Sequence, residues 1–216
     1  MQIPTQAIIF DFDGTLADTF PAIHLAFNAA LEPILGRTFS HDEVIARFGP
    51  NDQGMLENDL REFPSQTLQD AIETYFEVYT AAHDEIFAFE GVEEMFLELE
   101  RRRVPFGLMT GKSRRAADIS LAHLGWSQKF EIVVAGEEVA HPKPAPDGPL
   151  RAAELMGFEP QNCLYVGDSP ADLGAARAAG MKPVVAGWHL YFEALLRAMG
   201  PENWASKPND VLLFLD

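Results

Sequence analysis

Ala7-Ile8-Ile9-Phe10-Asp11-Phe12-Asp13-Gly14-Thr15 is the stretch on which the reading of this chain turns. Four apolar residues in succession, closed by an acid, describe a strand buried on both faces, the pattern of a parallel sheet. Three runs of the same kind follow, at 105–109 before Thr110-Gly111, at 132–135 before Gly136, and at 163–166 before Gly167-Asp168. A fifth, at 183–186, stops at Gly187. Helical patterns lie between them at 92–103, 114–124, 146–156 and 171–179. Strand alternating with helix predicts an α/β fold on a doubly wound parallel sheet.

The alternation breaks once. About 75 residues without a strand pattern separate the first strand from the helix at Val92. Helical readings fill the gap at 20–35, 41–47, 52–60 and 67–82. A connection between strand and helix in such folds is ordinarily ~2–6 residues, so the segment reads as an inserted all-helical domain. Its expected limits are 17–88, with 87–91 as the return hinge and 1–16 plus 89–216 as the α/β core. Beyond Trp188 the pattern is thinner: 190–199 reads as helical and 211–215 as a short apolar end.

Composition narrows the function classes. The 216 residues are 47% hydrophobic and include 16 Phe, which excludes a disordered chain. Cys163 is the single cysteine, which excludes a disulfide scaffold and is compatible with a reducing compartment. Thirty-three acidic against 16 basic residues leave a charge of −17, so most of the surface repels nucleic-acid phosphates and anionic lipid. A phosphate-bearing ligand therefore needs a local cluster of donors. The start, Met1 to Ala7, lacks the basic and apolar run of a signal peptide, and no apolar run has the length of a membrane span. A cytoplasmic protein with no nucleic-acid or membrane partner is expected.

Ligands of open α/β sheets sit beyond the carboxyl ends of the strands. Those ends carry Asp11, Thr110 and Asp168, with Glu137 and Lys143 after the third strand. Residues two apart in extended chain point the same way, so Asp11 and Asp13 can present paired carboxylates. Such a pair suits a bound cation or a division of roles between an ionised and a protonated group. The same residues also read as an acidic strand end making an Asx-turn with an ordinary turn glycine, and the pentapeptide alone does not choose.

Thr110-Gly111-Lys112-Ser113 ends the second strand and opens a helix, with Ser113 a good N-cap. The hydroxyl of Thr110 and the free N–H groups there could hold a phosphoryl oxygen, or the segment is a plain connection. Lys112, Arg114 and Arg115 form the most basic stretch beside a strand end. Basic residues oppose the dipole at a helix start, which favours a ligand reason. Three prolines stiffen the loop around Lys143, whereas His141 reads as structural or solvent-facing. In Gly167-Asp168-Ser169-Pro170-Ala171-Asp172, helix capping accounts for Ser169 and Pro170 and largely for Asp172, but not for Asp168. Asp168 joining Asp11 and Asp13 makes an oxygen-rich site of the kind that suits Mg²⁺.

These four segments, in this order and each at a strand end, resemble the haloacid dehalogenase-like (HAD) hydrolase superfamily over nearly the whole chain. The helical insertion after the first motif looks like the cap of its capped phosphatase subclass, phosphoglycolate phosphatases included. The resemblance implies a Rossmann-like core and an aspartyl-phosphate mechanism. By it, Asp11 is the nucleophile and Asp13 the general acid and base. Thr110 and Lys143 position the phosphoryl group. Asp11, the Asp13 carbonyl and Asp168 bind Mg²⁺, with Asp172 orienting that site. Gly111 and Lys112, and Arg47 and Asn51 of the cap, are candidate phosphate- or substrate-binding residues. Arg47 and Asn51 flank a stiff Gly49-Pro50 turn that equally reads as a plain helix connection.

Other chemistries of the family are weighed by residue. A halide leaves without a proton, so the second acid at Asp13 favours an ester leaving group. A phosphonate-cleaving relative needs a cap lysine, and the first lysine in this chain is Lys112. A β-phosphoglucomutase-like isomerase remains open, with His24 early in the cap. A non-catalytic phospho-accepting or binding module has no use for Asp13 or for the cap. The expected function is hydrolysis of a small phosphorylated metabolite by a Mg²⁺-dependent phosphatase.

Overall fold

The structure is a computed structural model that describes residues 5–215; residues 1–4, part of the start read above, and residue 216 lie outside it. Its centre is β1 (Ala7–Phe10), buried along its whole length. Six parallel strands lie in the order β3-β2-β1-β4-β5-β6: β2 (Phe106–Met109), β3 (Val133–Val134), β4 (Cys163–Gly167), β5 (Lys182–Ala186) and β6 (Trp204–Ala205). The chain runs outward from β1 to one edge, then returns to β4 and runs to the other. The point of reversal lies between β1 and β4, where Phe10 pairs with Val166, and a crevice opens there beyond the strand ends.

Alternation along β1 divides the core. Ile8 and Phe10 face one apolar cluster, which runs on into the inserted helices; Ala7 and Ile9 face a second cluster with Tyr165 and Met109. Both faces being covered is why these strands read as unbroken apolar runs.

The insertion is helical: α1 (Phe20–Leu35), α2 (His41–Ile45), α3 (Asp52–Leu60) and α4 (Ser65–Ala81). Two of these begin and end where the sequence pattern does. By contrast, α2 is two residues shorter than its pattern, and α4 starts earlier, right after Pro64. The chain leaves and re-enters the core side by side, with Ala17 bridged to Ala88 and the Phe89 amide donating to the Leu16 carbonyl at 3.0 Å.

The core helices are α5 (Val92–Arg102), α6 (Arg114–His123), α7 (Asp147–Met156), α8 (Pro170–Ala178) and α9 (Glu193–Ala198). The C-terminal region differs from its reading in two ways. The strand β6 has two residues, too few for any periodicity to show, and 211–215 falls largely in a 3₁₀ segment, Pro208–Phe214. The result is a parallel α/β sheet with an inserted helical cap.

Candidate active site

The turn after β1 sets the geometry. Phe12 is fully buried and packs edge-on to Trp126, which leaves Asp11 and Asp13 on the other side of the chain, lining one cavity. Leu16 N donates to the Phe12 carbonyl at 2.8 Å and Gly14 N to the Ala17 carbonyl at 2.9 Å, folding the chain sharply back. This turn needs glycine. Gly14 has φ of +74°, and a Cβ there would stand 2.1 Å from Asp168 Oδ2.

Although both acids line the cavity, their carboxylates have separate partners. Lys143 Nζ lies 2.7 Å from Asp11 Oδ1 and 2.7 Å from Asp172 Oδ1. Lys112 Nζ lies 2.6 Å from Asp13 Oδ1, which also accepts from the Thr19 hydroxyl. Burial alone would lower both lysines, but Asp13 overrides it at Lys112 and Asp11 and Asp172 at Lys143, so both stay charged.

Asp168, at the end of β4, is buried, with its Oδ2 2.7 Å from His189 Nδ1 and its Oδ1 facing the Thr15 hydroxyl at 3.5 Å. Asp172 forms a capping box with Ser169 at the start of α8, yet its other oxygen takes Lys143 and, at 3.2 Å, the Tyr165 hydroxyl. Capping therefore accounts for only half of what this carboxylate does.

Asp11, Asp168 and Asp172 each offer an oxygen, all within 4.8 Å of one another, and all three residues are buried. Burial first, then Asp172, pushes the Asp11 carboxyl well above its usual range. Burial likewise pushes Asp168 up to about 6, although His189 opposes the shift. Three buried carboxylates faced by one lysine ammonium, on Asp11 and Asp172, and one imidazole, on Asp168, are short of positive charge. A hard divalent cation relieves that shortage, and an all-oxygen donor set is what such a cation takes. The residues present thus fit a metal ion. The Asp13 side chain is turned toward Lys112, which leaves its backbone carbonyl as the atom to consider on that side.

The remaining residues singled out from sequence fall in different places. Thr110 is fully buried and its hydroxyl accepts from the Lys112 amide at 3.2 Å, while Gly111 and Lys112 line the cavity. Ser113 caps α6 as its position suggests. Arg47 is not brought to the cavity: Asp59 holds it through two bonds, at 2.7 and 3.1 Å, and it lies over the Phe39 ring. The Asn51 side chain accepts from Gly54 N, capping α3, and donates to Glu137 at 3.3 Å. Glu137 also accepts from the Arg114 amide at 2.7 Å. His141 is exposed and paired with Asp147. His24 is hydrogen-bonded to the Phe39 carbonyl and Asn28 and stacked on His41.

Two site residues escape the sequence reading. His189 lies beyond Gly187, the residue that directly follows β5, so the strand-end rule that singles out Asp168 passes it by. Asp52 was not singled out from the sequence, yet its two oxygens take the Ser113 amide at 2.8 Å and hydroxyl at 2.7 Å, tying the cap to the core. An Arg115–Glu73 pair at 2.9 Å joins α6 to α4 as well. Among the described residues, no helix is long and apolar enough to cross a membrane.

Comparison with known proteins agrees with this architecture. Pyrophosphatase PpaX of Bacillus mycoides (strain KBAB4) is 29% identical over 209 residues, covering 96% of this chain and 95% of that one. The crystal structure of a hydrolase from Pseudomonas syringae superposes with a TM-score of 0.81 at 26% identity, over 98% of each chain. A structure from Haemophilus somnus, described as that of a predicted phosphoglycolate phosphatase, has a TM-score of 0.81 at 19% identity over 98% of each chain, a likeness of fold alone. The family model for haloacid dehalogenase-like hydrolases matches residues 8–186, from β1 through β5, and the chain belongs to that family.

Proposed function

We propose that this hydrolase is a Mg²⁺-dependent phosphatase that cleaves a small phosphomonoester through an aspartyl-phosphate. The observation that carries the reading is the pair of acids on one cavity with different partners: Asp11 on Lys143 beside two further carboxylates, and Asp13 on Lys112. That is a division of labour between a nucleophile and a proton carrier.

In the first step an Asp11 oxygen bonds to phosphorus while the bond from phosphorus to the ester oxygen breaks. Asp13, carrying a proton and released from its contact with Lys112 for this step, gives that oxygen the proton, and the alcohol leaves. In the second step water attacks phosphorus, its proton passes to Asp13, and the bond to Asp11 breaks, releasing inorganic phosphate. Lys143 offsets charge on the transferring group, and the Thr110 segment with Gly111 positions it. Asp11, the Asp13 carbonyl and Asp168 would hold Mg²⁺, with Asp172 fixing Lys143 beside them. When bound, the ion supplies further charge stabilisation to the phosphoryl oxygens.

In this reading 17–88 act as the cap, 1–16 with 89–216 as the catalytic core, and the bridged pair Ala17 and Ala88 as the hinge. A closed cap excludes water and large substrates, in keeping with a small phosphorylated metabolite. The relatives' name, pyrophosphatase, also supports phosphate-ester or anhydride cleavage. An isomerase that returns phosphate to its substrate is less favoured, since His24 is bound within the cap. The acidic surface and the single, buried, free Cys163 are in keeping with the cytoplasm.

The test is Mg²⁺-dependent release of inorganic phosphate from a panel of phosphometabolites. Asp11→Asn should reduce release at least ~1,000-fold and Asp13→Asn ~100- to 10,000-fold. Release that survives Asp11→Asn rules the mechanism out.

A further inference from the structure

We infer that the substrate's leaving group is apolar or aromatic and carries no second anionic group, an inference that rests on the phosphatase reading above. The cavity over Asp11 and Asp13 has a volume of about 380 Å³ and two unlike walls. The core wall carries the acids and lysines. The cap wall is built from Phe20 and Ile23 of α1, Ile45 of α2, Phe48, Met55 of α3 and Tyr75 of α4. A phosphoryl group over Asp11 leaves the rest of the substrate facing those side chains.

Charge sharpens the point. Among the described residues, the cationic side chains that line the cavity are Lys112 and Lys143. Both stand on the core side, and both are engaged, with Asp13 and with Asp11 and Asp172. The cap contributes Asp52, which in neither protonation state carries positive charge. The arginine nearest to such duty, Arg47, is held by Asp59. A second phosphoryl group or a carboxylate would therefore lose its water against a largely apolar wall and gain no cationic partner there, which is costly for a charge. A ring or alkyl chain instead buries apolar surface on the same wall. Substrates with a second anion, such as pyrophosphate or 2-phosphoglycolate, are disfavoured on these grounds, and the products are inorganic phosphate and an uncharged alcohol or phenol.

The experiment compares kcat/KM for benzyl phosphate, 2-phosphoglycolate and pyrophosphate with the Mg²⁺-loaded protein, its Asp11→Asn variant and Phe48→Lys. Benzyl phosphate and 2-phosphoglycolate are both esters of primary alcohols, so the comparison reads the wall more than the chemistry. Phe48 is 37% exposed, and a lysine there can be placed without opening the core. Benzyl phosphate should exceed each anionic substrate at least ~10-fold, and Phe48→Lys should move the ratio at least ~10-fold toward 2-phosphoglycolate. Asp11-dependent hydrolysis that favours 2-phosphoglycolate or pyrophosphate overturns this inference and leaves the phosphatase reading intact. A ratio untouched in a folded Phe48→Lys protein also overturns it. No Asp11-dependent release from any of the three overturns both.

Discussion

Lys112 Nζ and Asp13 Oδ1 lie 2.6 Å apart although their residues are separated by 99 positions in the chain. The lysine side chain is 4% exposed and the aspartate 17%, so the pair sits almost out of water. Removing one partner of such a pair strands the other, with losses of about 3–5 kcal/mol when burial is complete. Allowing for the remaining exposure of Asp13, Lys112→Met should destabilise by about 2 kcal/mol. Adding Asp13→Asn should recover about 1 kcal/mol of this, because the stranded charge is gone. Urea unfolding of the four proteins of the cycle measures the coupling, and strict additivity would contradict the pairing.

The carboxylate cluster predicts metal-linked stability. A ligand that binds only the folded protein stabilises it by about 2.7 kcal/mol at a hundred times its Kd. For a chain of this size that is a rise in Tm of about 5 °C or more on adding Mg²⁺ after chelation. Asp168→Asn should remove most of that rise. An equal rise in wild type and variant would place the ion elsewhere.

Gly14→Ala should be far worse than a glycine substitution elsewhere. Gly14 and Gly125 have similar φ angles, +74° and +72°, so both pay the left-handed cost of about 1–2 kcal/mol. Only at Gly14 would the new Cβ meet Asp168 and His189, at 2.1 and 2.6 Å, whereas nothing lies within 4 Å at Gly125. Gly14→Ala should therefore lower activity at least ~100-fold by displacing the Asp168 carboxylate, with Gly125→Ala near wild type. Comparable activity in the two variants would contradict the close approach.

Asp52 gives stability a slope in pH. Burial raises its carboxyl above the ordinary 3.8, against the pull of the Ser113 donors. The folded state then holds the proton more tightly than the unfolded chain. Its contribution is complete below the unfolded value and is lost as pH rises through the folded one. Asparagine keeps an acceptor for Ser113 without the charge. The stability of Asp52→Asn relative to wild type should rise between pH 4 and pH 7 in urea titrations. A difference independent of pH would contradict the shift.

Much of this protein was legible in order along the chain. Strands of a doubly covered parallel sheet must be apolar on both faces, so β1, β2, β4 and β5 announce themselves as continuous runs. An insertion of helices announces itself by the absence of such runs between Ala17 and Ala88. The residue that follows a strand stands at the ligand-binding edge, which is why Asp11, Thr110 and Asp168 were visible beforehand. The two-residue strand β6 was not, since no period shows in so short a span.

Tertiary structure alone decided which of those residues meet. Lys143 reaches Asp11 and Asp172 across 132 and 29 positions because the strand order sets β1 beside β4, and sequence spacing carries no trace of that order. His189 becomes the partner of Asp168 only once β5 lies next to β4. Arg47 read equally as a ligand contact or as part of a plain connection, and the turn between α2 and α3 brings it to Asp59. Local patterns report burial and chain direction, which act within a few residues. Charge pairing depends on distances through space, which exist only after the chain has packed.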